Sequence, residues 1–196
     1  NTGQVLVGDF NRDGYLDLLV MIQTYDAKPH TMAHSSVIFY GSADGFSSDH
    51  RAVLPTYCSG VAHVADVNGN GYLDIITDDK RGFLVIFTGG PDGYDRERAT
   101  MIPFPVELTG AINAADLTQN GYLDLIVSVQ SHYLRTNESC YIFYGGPEGY
   151  DLARSQRFDG GYTPGDIAVA DLDNDGPPEL IVSGYPTEPP RLITTH

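Results

Sequence analysis

The chain has 196 residues, enough for one domain or two small ones with a sizeable core. Hydrophobic residues make up 41% and charged residues 19%, which excludes wholesale disorder. With 26 acidic and 11 basic side chains the net charge is −15, so the chain lacks the basic footprint of a nucleic-acid binder and is disfavoured at anionic membrane surfaces.

The apolar run 18–22 is far short of a membrane span. No Met start, charged n-region or apolar h-region is present, so the sequence is expected to be a processed protein or part of a longer one. A content of 22 glycines, 12 prolines and 13 tyrosines, without tryptophan, favours short strands and turns. The cysteines, Cys58 and Cys140, are too few for a disulfide scaffold. One disulfide or two buried thiols both fit, and neither fixes the compartment.

Taken in chain order, the sequence repeats itself. Residues 8–20, 65–77, 115–127 and 170–182 align without gaps, and their first aspartates, Asp9, Asp66, Asp116 and Asp171, are 57, 50 and 55 residues apart. A second element, read as Ile-Phe-Tyr-Gly-Gly-Pro-Asp-Gly-Tyr or a near variant, follows three of them at 37–46, 85–94 and 141–150. Each repeat reads as four short strands. In the second, residues 60–66 lead into an Asp-rich turn, 73–77 leave it, 83–87 run to a Gly-Pro-Asp-Gly turn, and 98–103 form a more polar outer strand. No helical period of useful length appears. The inner runs are nearly continuously apolar, as for strands buried on both faces.

Tandem four-stranded units predict an all-β fold, a β-propeller with blades at about residues 1–56, 57–106, 107–160 and 161–196. A β-sandwich would not repeat its turn chemistry so regularly, and a β-solenoid coil is usually shorter. The fourth repeat is expected to stop soon after its second strand, at Gly184, giving about three and a half blades of a larger ring. The rest of a longer chain, or a second copy, would complete that ring.

The Asp-rich turns carry the chemistry. Counted from the first aspartate, side-chain oxygens fall at positions 1, 3, 5 and 9, a glycine at 6 permits the sharp turn, and position 7 offers a backbone carbonyl. The first turn supplies Asp9, Asn11, Asp13, Tyr15 and Asp17; the second Asp66, Asn68, Asn70, Tyr72 and Asp74. The third supplies Asp116, Thr118, Asn120, Tyr122 and Asp124; the fourth Asp171, Asp173, Asp175, Pro177 and Glu179. Hard oxygen donors without His or Cys select Ca²⁺ over zinc or copper, and a flexible carboxylate loop does not enforce the octahedron Mg²⁺ demands. The opening matches an EF-hand loop, but position 12 is Val20 or Val182 inside a β-rich run, and the closing acid sits at 9. Ligand charge ranks the turns fourth, first, second, third. Eleven of the 26 acids crowd into these turns and would repel without a cation. The metal-free alternative is a hairpin satisfied by its own side-chain-to-backbone hydrogen bonds.

The pattern Asp-x-Asn/Asp-x-Asp-Gly-x-x-Asp, with a later Ile-Phe-Tyr-Gly-Gly, resembles the FG-GAP/VCBS repeats of the integrin α-subunit propeller, some fungal lectins and many bacterial secreted proteins. The resemblance covers nearly the whole chain. It implies a propeller, usually seven-bladed, with Ca²⁺ in the loops joining first and second strands. It does not imply one function, because such repeats serve adhesion, lectin and scaffold roles. It also implies that the opposite face carries any ligand. There the loops 24–35, 78–82 and 131–139 and the blade connections present Tyr25, His30, His34, Tyr57, His132, Tyr133, Arg135 and Tyr162. These suit stacking on a sugar or gripping a carboxylate; ordinary solvated loops are the plainer alternative.

Asn137-Glu-Ser139 is a glycosylation acceptor pattern. No Gly-x-Ser-x-Gly, His-Glu-x-x-His or phosphate-binding loop is present, so a propeller-based lyase or hydrolase is disfavoured. A calcium-binding module for a carbohydrate or protein ligand is expected, with a structural scaffold as the alternative. Millimolar extracellular calcium suits such loops and points to an extracellular, cell-surface or periplasmic protein.

Overall fold

The computed structural model describes residues 2–22, 35–58, 60–104, 109–129, 139–159, 166–174, 176–183 and 191–193. Its strands follow one another as up-and-down antiparallel sheets. β1 (Thr2–Gly8), β2 (Asp17–Ile22), β3 (Ser36–Phe39) and β4 (Arg51–Leu54) form the first sheet, and β5 (Ala62–Ala65), β6 (Asp74–Asp79), β7 (Phe83–Phe87) and β8 (Thr100–Pro103) the second. The third contains β9 (Thr109–Ala115), β10 (Asp124–Val129), β11 (Ser139–Phe143) and β12 (Ser155–Asp159). The fourth contains β13 (Ile167–Ala170), β14 (Glu179–Val182) and β15 (Arg191–Ile193). The predicted strands of the second repeat are found within a few residues of their observed ends.

Two features were not legible in the sequence. Single-turn 3₁₀ helices, Arg96–Arg98 and Leu152–Arg154, precede β8 and β12, each opened by an aspartate (Asp95, Asp151) that accepts the N–H two residues on. The fourth repeat continues past Gly184 into β15, which pairs with β14 through Leu180↔Ile193 and Val182↔Arg191. That strand is three residues long and lacks the Ile-Phe-Tyr-Gly signature, so nothing in its composition marked it.

The chain forms two compact units, Asn1–Pro103 and Phe104–His196, each holding two sheets. In the first unit the side-chain period of two sends Leu19 and Met21 to one face of β2, where they join Phe10, Ile38 and Leu54. This face packs on Ala62, Ile75, Val85 and Phe87 of the second sheet. The innermost strands run side by side: Gln4 N–H donates to the Gly60 carbonyl (2.9 Å), and Ala62 N–H donates to the Gln4 side-chain oxygen (3.0 Å). A Cβ on Gly3 would lie 2.3 Å from the Gly60 oxygen, so this approach requires glycine.

The second unit repeats the design. Ala111, Leu117, Ile126, Cys140 and Ile142 pack on Ile167, Leu180 and Val182, and Asn113 Nδ2 donates to the Ile167 carbonyl (3.2 Å). Each unit is thus a pair of propeller-type blades with their inner strands adjacent. β6 and β10 are buried along their whole length, as expected of inner strands, whereas β2 alternates between buried and half-buried. Cys58 and Cys140 are both free, buried thiols, and burial pushes the Cys58 thiol up.

Within the first unit an ion-pair cluster fastens the two blades. The buried Asp79 carboxylate accepts from Arg81 Nε (2.8 Å) and Nη2 (2.5 Å) and from Arg96 Nη2 (2.6 Å). Arg96 also donates through Nη1 to the Pro55 carbonyl just beyond β4 (2.9 Å). Burial alone would push the Asp79 carboxyl up, but hydrogen bonds from Arg81 and Arg96 outweigh it and hold the group below its usual 3.8. A carboxyl lowered in the folded state contributes stability above its unfolded value and loses it as pH falls through the folded value. Asp79→Asn is therefore expected to cost roughly 2 kcal/mol at neutral pH. In acid melts, the gap between wild type and variant should close below pH 3.8, and a gap that persists there would remove the ionic explanation.

Candidate metal centres

Each Asp-rich turn joins the first and second strands of its sheet, and all four share one backbone course. Position 4 has a positive φ in every turn: 61° at Arg12, 72° at Gly69, 54° at Gln119 and 60° at Asn174. Position 6 does too, at Gly14, Gly71, Gly121 and Gly176. Glycine at 6 was legible; the left-handed residue at 4 was not, because three of its four occupants are not glycine. The extra left-handed step curls the loop so that position 1 faces the N–H groups of 5 and 6.

In the first turn Asp9 accepts from Asp13 N–H (3.1 Å) and Gly14 N–H (2.9 Å), Asn11 Oδ1 accepts from Asp13 N–H (3.0 Å), and Asp13 Oδ1 accepts from Tyr15 N–H (2.9 Å). The N–H of Tyr15 and the Asn11 amide hold the Asp13 carboxyl below its ordinary value. The second turn repeats the bonds through Asp66, Asn68 and Asn70, which accept from Asn70, Gly71 and Tyr72 N–H groups. The third repeats them through Asp116 and Asn120, with Thr118 exposed at position 3. In the fourth, Asp171 accepts from Gly176 N–H (3.0 Å). Pro177 has no N–H to give there, and Asp175 lies outside the described residues.

Position 9 behaves differently from the other oxygens. Asp17, Asp74 and Asp124 are fully buried, and each carboxylate ties two distant backbone segments. One oxygen accepts from position 2 of its turn: Phe10 N–H (2.8 Å), Val67 N–H (3.0 Å) and Leu117 N–H (3.0 Å). The other accepts, at 2.8 Å in each case, from the glycine after the third strand: Gly41, Gly89 and Gly145. Burial raises the Asp74 and Asp124 carboxyls, while these N–H donors pull back. A Cβ on Gly41, Gly89 or Gly145 would lie 2.2, 2.3 or 2.2 Å from the carbonyl oxygen at position 8 of the turn. The Tyr-Gly-Gly element is thus the far half of the turn. Tyr94 and Tyr150 complete it by donating their hydroxyls to the Leu73 and Leu123 carbonyls (2.7 Å each).

The fourth turn breaks this pattern. Glu179 Oε2 accepts from Leu172 N–H (2.8 Å), but Oε1 is buried with no partner among the described residues. Among those residues, one group of three acidic side chains, Asp171, Asp173 and Glu179, brings carboxylate oxygens within 4.8 Å of one another. An orphaned carboxylate oxygen beside two exposed carboxylates fits a hard dication.

Neighbouring turns also touch. The Arg12 guanidinium lies 5.1 Å from the centre of the Tyr72 ring, and Gln119 Nε2 reaches 3.4 Å from where a Cβ on Gly176 would stand. Position 4 of one turn leans on the next.

Of the residues expected on the opposite face, only Tyr57 is described. Tyr25, His30, His34, His132, Tyr133, Arg135 and Tyr162 lie outside the described residues, as does Asn137 of the glycosylation pattern. The Tyr57 ring is covered by the guanidinium groups of Arg81 (4.6 Å) and Arg96 (5.4 Å).

The FG-GAP-like repeat family matches residues 9–77, which include the first two Asp-rich turns. No curated protein matches the chain. Residues 9–77 are thus similar to an FG-GAP-like repeat; the turn geometry recurs in the third and fourth sheets and the glycine clamp in the third. The class that the fold and the turns define is that of tandem four-stranded, propeller-type repeats.

The clamp separates adjacent glycines. Gly89→Ala drives a Cβ into the Leu73 carbonyl and is expected to cost about 2 kcal/mol or more. Gly90→Ala meets nothing within 4 Å and should be close to neutral. Urea unfolding of the two variants checks this, and equal midpoints would contradict the clamp.

Proposed function

We propose that this chain is a calcium-stabilised, extracellular propeller module that binds a carbohydrate or protein ligand without catalysing a reaction. The observation that carries the calcium reading is the convergence of Asp171, Asp173 and the unsatisfied Glu179 Oε1 in the fourth turn. Those three residues would hold the ion, with Asp175 and the Pro177 carbonyl at the remaining places of the motif. The repeated loop course supports weaker sites in the other turns, ranked by charge as first, second and third. The likeness to FG-GAP-like repeats supports an extracellular setting, and no helix among the described residues is long and apolar enough to cross a membrane.

A scaffold role is favoured by one observation. Tyr57, the described candidate for ligand stacking, has its ring committed to Arg81 and Arg96. A glycan array probed with the labelled chain in calcium and in chelator separates the readings. Calcium-dependent retention of any glycan class supports the binding module, and uniform absence supports the scaffold or a protein ligand.

Calcium that binds only the folded state should stabilise it by about 3 kcal/mol per site at roughly a hundredfold excess over the dissociation constant. Thermal melts in calcium should lie well above melts in chelator. Asp171→Asn combined with Asp173→Asn should remove a large part of that difference while leaving the chelated melt nearly unchanged, since both side chains are exposed. Identical wild-type melts with and without calcium would leave the turns as metal-free hairpins.

A further inference from the structure

Within each unit, the side chain at position 4 of one turn reaches the glycine at position 6 of the next. Arg12, in the first turn, brings Nη1 to 2.8 Å from where a Cβ on Gly71 would stand, and its guanidinium carbon lies 5.1 Å from the centre of the Tyr72 ring. Tyr72 is half-buried under this guanidinium, whereas its counterparts Tyr15 and Tyr122 are 43% and 41% exposed. Gln119, in the third turn, brings Nε2 to 3.4 Å from the Cβ place of Gly176 in the fourth. In both pairs that glycine donates its N–H to the position 1 carboxylate, Gly71 to Asp66 (2.7 Å) and Gly176 to Asp171 (3.0 Å). The reaching side chain therefore lies over the rim of the neighbouring turn, beside its first acid.

The two reaching side chains differ in charge, and so do the turns they meet. Arg12 brings a permanent positive charge to a turn with two carboxylates, Asp66 and Asp74, the second of them already held by the Val67 and Gly89 N–H groups. Gln119 brings no charge to the turn with four acids, where Asp171, Asp173 and Glu179 converge and Glu179 Oε1 lacks a partner.

We propose that Arg12 and Gln119 set the calcium affinity of the turn that follows their own. Arg12 supplies the second turn with a positive charge that opposes a bound metal, and Gln119 leaves the charge of the fourth turn for the metal to neutralise. This assignment rests on the calcium reading above. A fixed cation a few ångströms from a dication raises the energy of the loaded turn. The same cation offsets the carboxylates of the unloaded turn, so its two effects on stability have opposite signs. Arg12 and Gln119 occupy the same left-handed backbone, at φ 61° and 54°, so each position already accepts what the other carries.

Calorimetric titration of the metal-free chain with calcium, at low salt, tests it. Arg12→Gln should strengthen one weak site by about tenfold, and added salt should shrink the gain. Adding Asp66→Asn should abolish the gain, which places it in the second turn. Gln119→Arg, which leaves the second turn untouched, should weaken the tightest site by a similar factor. In thermal melts Arg12→Gln should lie below wild type in chelator yet rise further on adding calcium. Generic damage to the turn would lower both melts. Affinities unchanged in both single variants overturn the proposal while the calcium reading stands. So does a gain that survives Asp66→Asn, which would locate the effect in the first turn itself. A wild type that takes up no calcium overturns the calcium reading, and this assignment with it.

Discussion

A buried carboxylate at the exit of each Asp-rich turn organises this molecule. At Asp17, Asp74 and Asp124 it accepts two backbone N–H groups, one from the start of its own turn and one from a glycine beyond the third strand. An unpaired carboxylate at full burial would be costly, so the two donors are obligatory partners. Their positions fix the turn, the β2-type strand that leaves it and the end of the third strand in one piece of geometry. The glycine follows from the same constraint, because the N–H can reach only if its Cα lies against the carbonyl at position 8.

The remaining oxygens of the turn are arranged around that clamp. Positions 1 and 5, joined by position 3 in the first two turns, accept N–H groups from within the loop, so the first three turns hold their shape through their own hydrogen bonds. These bonds leave lone pairs on each carboxylate or amide oxygen, and preorganise the oxygens on one side of the curl. The fourth turn is different in kind. It has the most acids, proline where the others donate an N–H, and a glutamate whose second oxygen lacks the glycine partner. Charge that is internally compensated elsewhere is left uncompensated there.

Blade packing follows a second rule, independent of the turns. Period-two alternation gives every sheet two apolar faces, and each described junction brings one type of face against the other. The Asp79 cluster adds a polar tie at the first junction, where it also occupies the ring of Tyr57.

Much of this was written in the sequence. The aspartates, the glycine at position 6 and the Ile-Phe-Tyr-Gly-Gly element are local signals, because a left-handed turn and a β-branched strand impose their residue types within a few positions. They determined by themselves the repeated strand pattern, the all-β class and the candidate turns. The left-handed step at position 4 escaped because arginine, glutamine and asparagine occupy it, held there by the surrounding hydrogen bonds. β15 escaped because its pairing with β14, not its composition, makes it a strand. The partners of the position 9 carboxylates, the two arginines on Asp79 and the exposed or covered state of each blade face were decided by tertiary structure alone. The glycine partners of these carboxylates and the reach of Arg96 to Asp79 depend on segments 15 or more residues apart meeting in space, as Gly89 meets Asp74 across β6 and β7, and no local pattern encodes such a meeting.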